Sequence, residues 1–317
     1  MAITTSSVLP APVQQHFHET MLAVQVPNLI HNIAAMRVKA PRKSGATTRF
    51  RRPNKLSTAP VPLGNSGAPV VPEALTAMDI DATMSIYGKA IALQEQVTLF
   101  SQDPVLNWGT RMLGINLRET EDELTRDMLA ASATAINAVF GTVGDVPTDI
   151  TRQDVDNVTR VLASNDAYTM LDKIQGENRF GSGPVNNSYA ALCSTNLMSD
   201  LEGMNGFLNV AQYPNQSSVL RSEFGTAGRA RFFVSSVGSV VPNASSNGAD
   251  VYNVFITGMD AYGIVTQDGF NSELIYRDPR FSDALAQTAT LGWKTAMAQR
   301  ILNDEWIARL RCVLSFI

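Results

Sequence analysis

The chain has 317 residues, of which 44% are apolar and 17% charged, with a formal net charge of −4. That is enough apolar material for one large or two ordinary folded domains, and it excludes a disordered chain or a broadly basic one. A charged fraction below the ordinary quarter leaves much neutral surface, as large protein–protein contacts require.

Cys193 and Cys312 are far apart in the sequence, form no metal-ligand spacing, and read as small buried hydrophobes of a reducing compartment. No apolar run reaches the roughly 18 residues of a membrane span. The opening "MAITTSSVLPAPVQQHF" lacks the basic and apolar regions of a secretory signal.

Residues 1–42 read as an arm, interrupted by Pro10, Pro12, Pro27 and Pro41, with a helical turn or two on either side of Pro27. Residues 46–56 and 74–93 carry Thr, Ile, Phe and Tyr in partial alternation and are predicted as strands. The Pro- and Gly-rich stretch between them suits neither helix nor central strand. The expected unit is a long two-stranded hairpin with an irregular tip. Such a hairpin is marginal alone in water and better suited to lying on a partner.

A long helix follows. Asp103 is a suitable N-cap, and Pro104 fits the first helical position. Leu106, Leu113, Leu117, Leu124 and Met128 form one apolar stripe, with Arg118, Glu119, Asp122, Glu123 and Arg126 opposite. The pattern predicts a helix to about residue 137, roughly 50 Å long. A second helix is predicted from Thr151, with Asp154 completing a capping box and Val155, Val158, Val161 and Leu162 on one face.

Beyond it, residues 188–194 read as a buried strand and "TNLMSDLEGM" as a short helix capped by Thr195. "ARFFVSSVGSV" and "VYNVFITG" are predicted strands split by the loop 243–249. Alternation in "WIARLRCVL" favours two C-terminal strands, joined at Asn303–Asp304, over a helix.

No catalytic motif emerges. His16 and His18 form an isolated pair in the arm, and His31 stands alone. "FGSGPVNNS" (180–188) matches no phosphate-binding loop, and there is no nucleophile elbow. The aspartates of "GDVPTDITRQDVDN" do not follow calcium-loop spacing, and Asp79 and Asp81 read as the wet face of a strand. No enzyme activity, cofactor or metal is expected.

The salient feature is charge asymmetry. Residues 37–55 hold Arg37, Lys39, Arg42, Lys43, Arg49, Arg51, Arg52 and Lys55, eight of the 25 basic residues, and no acid. The long helix region carries Asp103, Glu119, Glu121, Asp122, Glu123 and Asp127. The basic strand could bind nucleic-acid phosphates, lie across an acidic surface of another copy, or serve as a solvated edge that blocks aggregation. Phe50 is the only aromatic in the stretch, which argues against a stacking platform.

The order of parts resembles the major capsid protein of tailed bacteriophages, the HK-97-like or Johnson fold, in the subfamily typified by coliphage N-four. "KSGATTRFRR" looks like that family's entry into its extended loop, and "DPVLNWGTRMLGINLRETEDELTRDMLAAS" like its spine helix. "VFITGMDAYGIV" and "LGWKTAMAQRILNDEWIARLR" resemble later segments in the same order. The resemblance implies an α+β fold with an N-terminal arm (1–45), an extended loop (46–93) and a peripheral domain (94–150 with returning strands 286–317). It places an axial domain at 151–285.

The implied function is self-assembly into hexamers and pentamers of an icosahedral shell around packaged double-stranded DNA, put together in the bacterial host cytoplasm. Scaffold, portal and decoration proteins are the implied further partners, with no membrane. With Met1 present, no N-terminal scaffolding segment is expected to have been removed. Arg49, Arg51, Arg52 and Lys55 are expected to meet Glu119, Glu121, Asp122 and Glu123 of a neighbouring copy. The alternatives are a nucleic-acid-binding protein using residues 37–55 and an encapsulin-like nanocompartment shell.

Overall fold

The structure, a computed structural model, describes residues 26–59, 72–94, 105–142, 144–170, 187–213, 219–268, 273–277 and 287–315. Residues 1–25 of the arm with His16 and His18, the hairpin tip 60–71, the Asp103–Pro104 start signal and the glycine loop at 180–186 lie outside this description.

In chain order come strands β1 (Met36–Ala40), β2 (Thr47–Pro53), β3 (Ala77–Thr83) and β4 (Ser85–Gln94), helix α1 (Val105–Ser132) and β5 (Thr134–Asn137). Helix α2 (Arg152–Ser164), β6 (Tyr189–Ser194), helix α3 (Met198–Gly203), β7 (Leu208–Asn209), β8 (Glu223–Ala227) and β9 (Ala230–Ser235) follow. The remainder is β10 (Val240–Val241), β11 (Val251–Thr257), β12 (Tyr262–Gln267), β13 (Glu273–Arg277), β14 (Thr288–Ile301) and β15 (Ile307–Cys312).

The larger sheet has eight strands in the order β5-β15-β11-β6-β9-β8-β7, with β10 also on β11. Every residue of β6, β9 and β11 is buried, because both sheet faces are covered. Tyr189, Ala191, Cys193, Phe232, Val254 and Ile256 meet Val155, Val158 and Leu162 of α2 on one side. Ala190, Leu192, Phe233 and Phe255 meet Ile30, Leu129 and Tyr262 on the other. Successive strand residues point to opposite faces, so a sheet covered twice reads as a continuous apolar run. Burial pushes the Cys193 thiol up to about 12 and raises Cys312 as well, which keeps both protonated and unreactive.

The second sheet is organised on β14. One edge pairs with β4 from Thr288↔Gln94 to Met297↔Ser85. The other takes β12 and then β13, and β1 adds in parallel outside β12. Helix α1 lies on this sheet through Leu113 and Leu117, which pack with Leu291, Trp293, Tyr87 and Ile91. Gly109 permits the close approach: a Cβ there would lie 2.7 Å from Ile91 Cδ1.

Several boundaries differ from expectation for identifiable reasons. Helix α1 stops at Ser132, about 42 Å long, because Thr134–Asn137 leave it to pair in parallel with β15. Its last turn has no basic residue of its own, and Arg309 Nη1 on β15 donates to the Ala130 carbonyl instead. Leu106 is exposed, and so is Val161 on α2, where only Val155, Val158 and Leu162 share the inner face.

The capping box holds. Thr151 N–H donates to Asp154 Oδ2 at 3.1 Å while Asp154 N–H reaches the Thr151 hydroxyl. Asp154 Oδ1 also accepts from Val139 and Gly141 N–H, at 3.0 and 2.8 Å, tying the loop after β5 to α2. The short-helix cap shifts by one residue, with Ser194 Oγ accepting from Asn196 N–H. The two C-terminal strands exist but do not pair with each other. Asn303 caps a short 3₁₀ turn, Asp304–Trp306, that carries the chain from the β14 sheet to β11, beside which β15 runs.

Candidate functional site

Strands β2 and β3 form a two-stranded sheet of their own, in register from Thr47↔Thr83 to Pro53↔Ala77. The expected second strand, 74–93, is divided at Met84. Its first half stays with β2, and its second half joins β14 as β4. The hairpin is therefore shorter than its sequence pattern suggests, and its root is rooted in the β14 sheet.

The alternation in "TTRFRRP" sorts the side chains onto two faces. Phe50 lies opposite Ile80 and packs with Met84 against Ala40, Ala82, Val265 and Ala298. It anchors the hairpin root and is no stacking platform.

On the other face Arg49 stands opposite Asp81, and Arg51 opposite Asp79. Arg49 donates from Nε and Nη2 to the two Asp81 oxygens at 2.7 and 2.9 Å. Arg51 makes the same fork to Asp79 at 2.8 and 3.1 Å. These hydrogen bonds, with the attraction between the charges, hold the Asp79 and Asp81 carboxyls below the usual carboxylate range and raise both guanidiniums. Arg52 Nη2 approaches only the Met78 sulfur, at 3.7 Å. Lys55 Nζ lies 3.8 Å from Asp166 Oδ2, with both groups exposed.

The carboxylates expected to answer this strip occupy different settings along α1. Glu123 is exposed, 4.0 Å from Arg126. Glu119 borders a cleft beside Pro27 and Leu29. Glu121 is drawn inward, 3.7 Å from Arg37 and 3.4 Å from the Asn32 amide.

Asp122 is not a surface carboxylate. It is fully buried and accepts from the His31 backbone N–H at 2.9 Å and from His31 Nδ1 at 2.6 Å. Of the two imidazole tautomers, the one with its proton on Nδ1 suits a carboxylate acceptor here. The His31 carbonyl in turn accepts from the Tyr262 hydroxyl at 2.5 Å. Asp122 thus fastens the end of the arm between α1 and β12, and a neighbouring copy cannot reach it.

Within one chain, then, the four predicted bases and four predicted acids are not brought together, apart from the pairs each makes locally. Asp79 and Asp81 were the missed partners. Acids at alternate positions of the second strand, facing arginines at alternate positions of the first, were the available signal. His31 had no such signal, since its partner lies 91 residues away.

Around the hairpin root and the adjoining sheet, several large apolar groups face solvent. Ile86 is 72% exposed, and Met78, Leu274, Ile275 and Tyr276 are exposed as well. A groove of about 510 Å³ opens beside Met84 and Ile86, bordered by Arg42, Lys43 and Asp268. Among the described residues no cluster of His, Cys, Asp and Glu could hold a metal ion, and no helix is long and apolar enough to cross a membrane.

No protein-family model matches this chain, and no curated protein does. Solved structures do match. The capsid of Ralstonia phage GP4 superposes with a TM-score of 0.71 at 11% identity, covering 98% of this chain and 98% of that one. The capsid of cyanophage Pam1 gives 0.69 at 14% identity, over 99% and 100% of the two chains. The capsid of Helicobacter pylori bacteriophage KHP30 gives 0.62 at 8% identity, over 99% and 98%. The matches do not single out the N-four subfamily. Over nearly its whole length, the chain adopts the α+β, HK-97-like fold of these phage capsid structures.

Proposed function

We propose that the chain is a major capsid protein that self-assembles into the hexamers and pentamers of an icosahedral phage shell around double-stranded DNA, a structural role without catalysis. The observation that carries this reading is coincidence with a phage capsid subunit over 98% of both chains. The exposed apolar groups near the hairpin root add to it, because a lone subunit has no use for them.

In this reading residues 1–45 are an arm and 46–93 an extended loop that reaches over the next copy. Residues 94–150 and 286–317 make the peripheral domain, and 151–285 the axial domain. Arg49, Arg51, Arg52 and Lys55 face Glu119, Glu121 and Glu123 of a neighbour, and many weak repeated contacts add up through avidity. Assembly takes place in the host cytoplasm, with scaffold, portal and decoration proteins as further partners. The nucleic-acid reading of residues 37–55 loses force because Phe50, the one aromatic of that stretch, packs into the hairpin root and offers no face for a base.

Negative-stain microscopy of the purified protein tests the assembly. Closed shells of even size are expected, and monomers at every concentration would refute it. Shells filled with enzymes in place of DNA would favour the nanocompartment. The charge-swapped variant R49D/D81R sharpens the contact assignment, because it keeps the pair within the hairpin while inverting what a neighbour meets. Loss of shells with an unchanged melting temperature is expected. Normal shells would leave Arg49 a purely internal role.

A further inference from the structure

Helix α1 and the segment entering β1 enclose a cleft of about 310 Å³ whose arginines the contacts above do not use. Arg111 and Arg118 border it from the helix, and Arg221 from the loop before β8. Seven residues make nearly two whole turns, so Arg111 and Arg118 share one helix face about 10 Å apart along the axis. Leu29 and Ile115 supply apolar wall, and Glu119 is the one carboxylate on the lining. Three cations against one anion leave a local excess of two positive charges in a chain whose net charge is −4. A cleft in which one sign of charge predominates beside apolar wall attracts ligands of the opposite sign.

What sets these arginines apart is that three without partners border one cleft. Arg49 and Arg51 hold carboxylates within the hairpin, and Arg37, Arg126, Arg152 and Arg231 also lie beside acids. Among the described residues Arg111, Arg118 and Arg221 make no ion pair and no side-chain hydrogen bond. Unpaired guanidiniums around one cleft match a ligand with several anionic oxygens. Their planar forks and weak hydration suit phosphate in particular. A single carboxylate side chain from another copy would leave half of the excess unmet. A nucleic-acid backbone repeats its charge closely enough to meet all three.

We propose that Arg111, Arg118 and Arg221 form a phosphate-binding cleft that holds the backbone of double-stranded DNA without reading its sequence. The proposal deepens the shell reading, on which the identity of the DNA as packaged genome rests.

The test is anisotropy of a fluorescein-labelled 20-base-pair duplex of random sequence, titrated with full-length protein over a range of chloride concentrations. Three variants are compared with wild type: R111Q/R118Q/R221Q, E119Q, and R160Q, whose exposed arginine lies outside the cleft. The triple variant should lose affinity equally for every duplex sequence, with the salt slope smaller by about 0.9 per arginine removed. E119Q should bind tighter, and R160Q should move far less than the triple variant. Inorganic phosphate should displace the duplex from wild type more strongly than chloride at equal ionic strength, and that excess should vanish in the triple variant.

Circular dichroism and the melting temperature confirm folding. Wild-type duplex affinity in a folded triple variant overturns the proposal. So does phosphate acting no better than chloride. If the triple variant keeps its duplex affinity and forms no shells, the cleft is a contact between copies. Wild-type protein that binds duplex here and never forms shells would sink the shell reading alone.

Discussion

The hairpin and the eight-stranded sheet both carry two-pronged arginine–carboxylate contacts, yet the two regions differ in what those contacts are worth. In the sheet, Arg231 Nε and Nη2 donate to Glu223 at 2.8 and 2.5 Å, with the side chains 4% and 0% exposed. Tyr213 Oη and Leu220 N–H each add a hydrogen bond to the same carboxylate at 2.9 Å. In the hairpin, Arg49 and Asp81 reach 2.7 Å but are 58% and 45% exposed. Distance alone does not rank the pairs; access of water does. Exposed pairs contribute little, while a buried charge stripped of its partner is strongly destabilising. The sheet is therefore self-sufficient, and the hairpin depends on packing at its root and on whatever covers it.

The largest expected effect breaks the sheet side of that comparison. Glu223→Ala removes the carboxylate that Arg231 grips through Nε and Nη2 in a buried site and should cost about 3–5 kcal/mol, read from urea unfolding. Replacing both residues, as E223L/R231M, should recover most of the loss, since it removes the buried guanidinium together with its carboxylate. A single-variant cost below about 1 kcal/mol, the range of exposed pairs, would mean that water reaches the site.

Asp122→Asn should rank next, at about 1–3 kcal/mol, because one buried hydrogen-bonding group at His31 loses its acceptor. The effect should also be local. Hydrogen exchange ought to rise first over residues 30–40, where Asp122 and Tyr262 hold the chain through His31. Uniform loss of protection across the protein would assign Asp122 to global stability and not to fastening the arm.

The contrast also explains what could be read from sequence. Alternation and apolar runs revealed β2, β6, β11 and the two C-terminal strands, because period and burial are local properties. The Thr151–Asp154 box was visible for the same reason. Which strand pairs with which was not. Nothing local at Met84 says that β3 stays in the hairpin while β4 crosses to β14, and nothing in "WIARLRC" names β11 as its partner. The acidic face of α1 misled in one respect. Helical spacing placed Asp122 among solvated residues, whereas a segment some 90 positions earlier covers it. Pairing across long loops is decided by tertiary packing, and formal charge alone does not distinguish a surface carboxylate from a buried one.

The smallest effect on the folded subunit is expected from acid acting on the hairpin. Asp79 and Asp81 are held below their ordinary values, chiefly by the hydrogen bonds from Arg51 and Arg49. A carboxyl lowered in the folded state favours folding above its unfolded value and loses that contribution as the pH falls through the folded one. Hairpin order should hold between pH 7 and about 5 and weaken only below the usual carboxylate midpoint near 4. Because the pairs face water, salt should shrink the effect. Carbonyl-detected NMR titration of the two aspartates checks this directly. Midpoints below the ordinary value that rise in Arg49→Gln and Arg51→Gln would confirm pairing inside the hairpin. Ordinary midpoints in the wild type would mean that the arginines are free of Asp79 and Asp81, and the charge-swap result would then have to be read as contact with a neighbour alone.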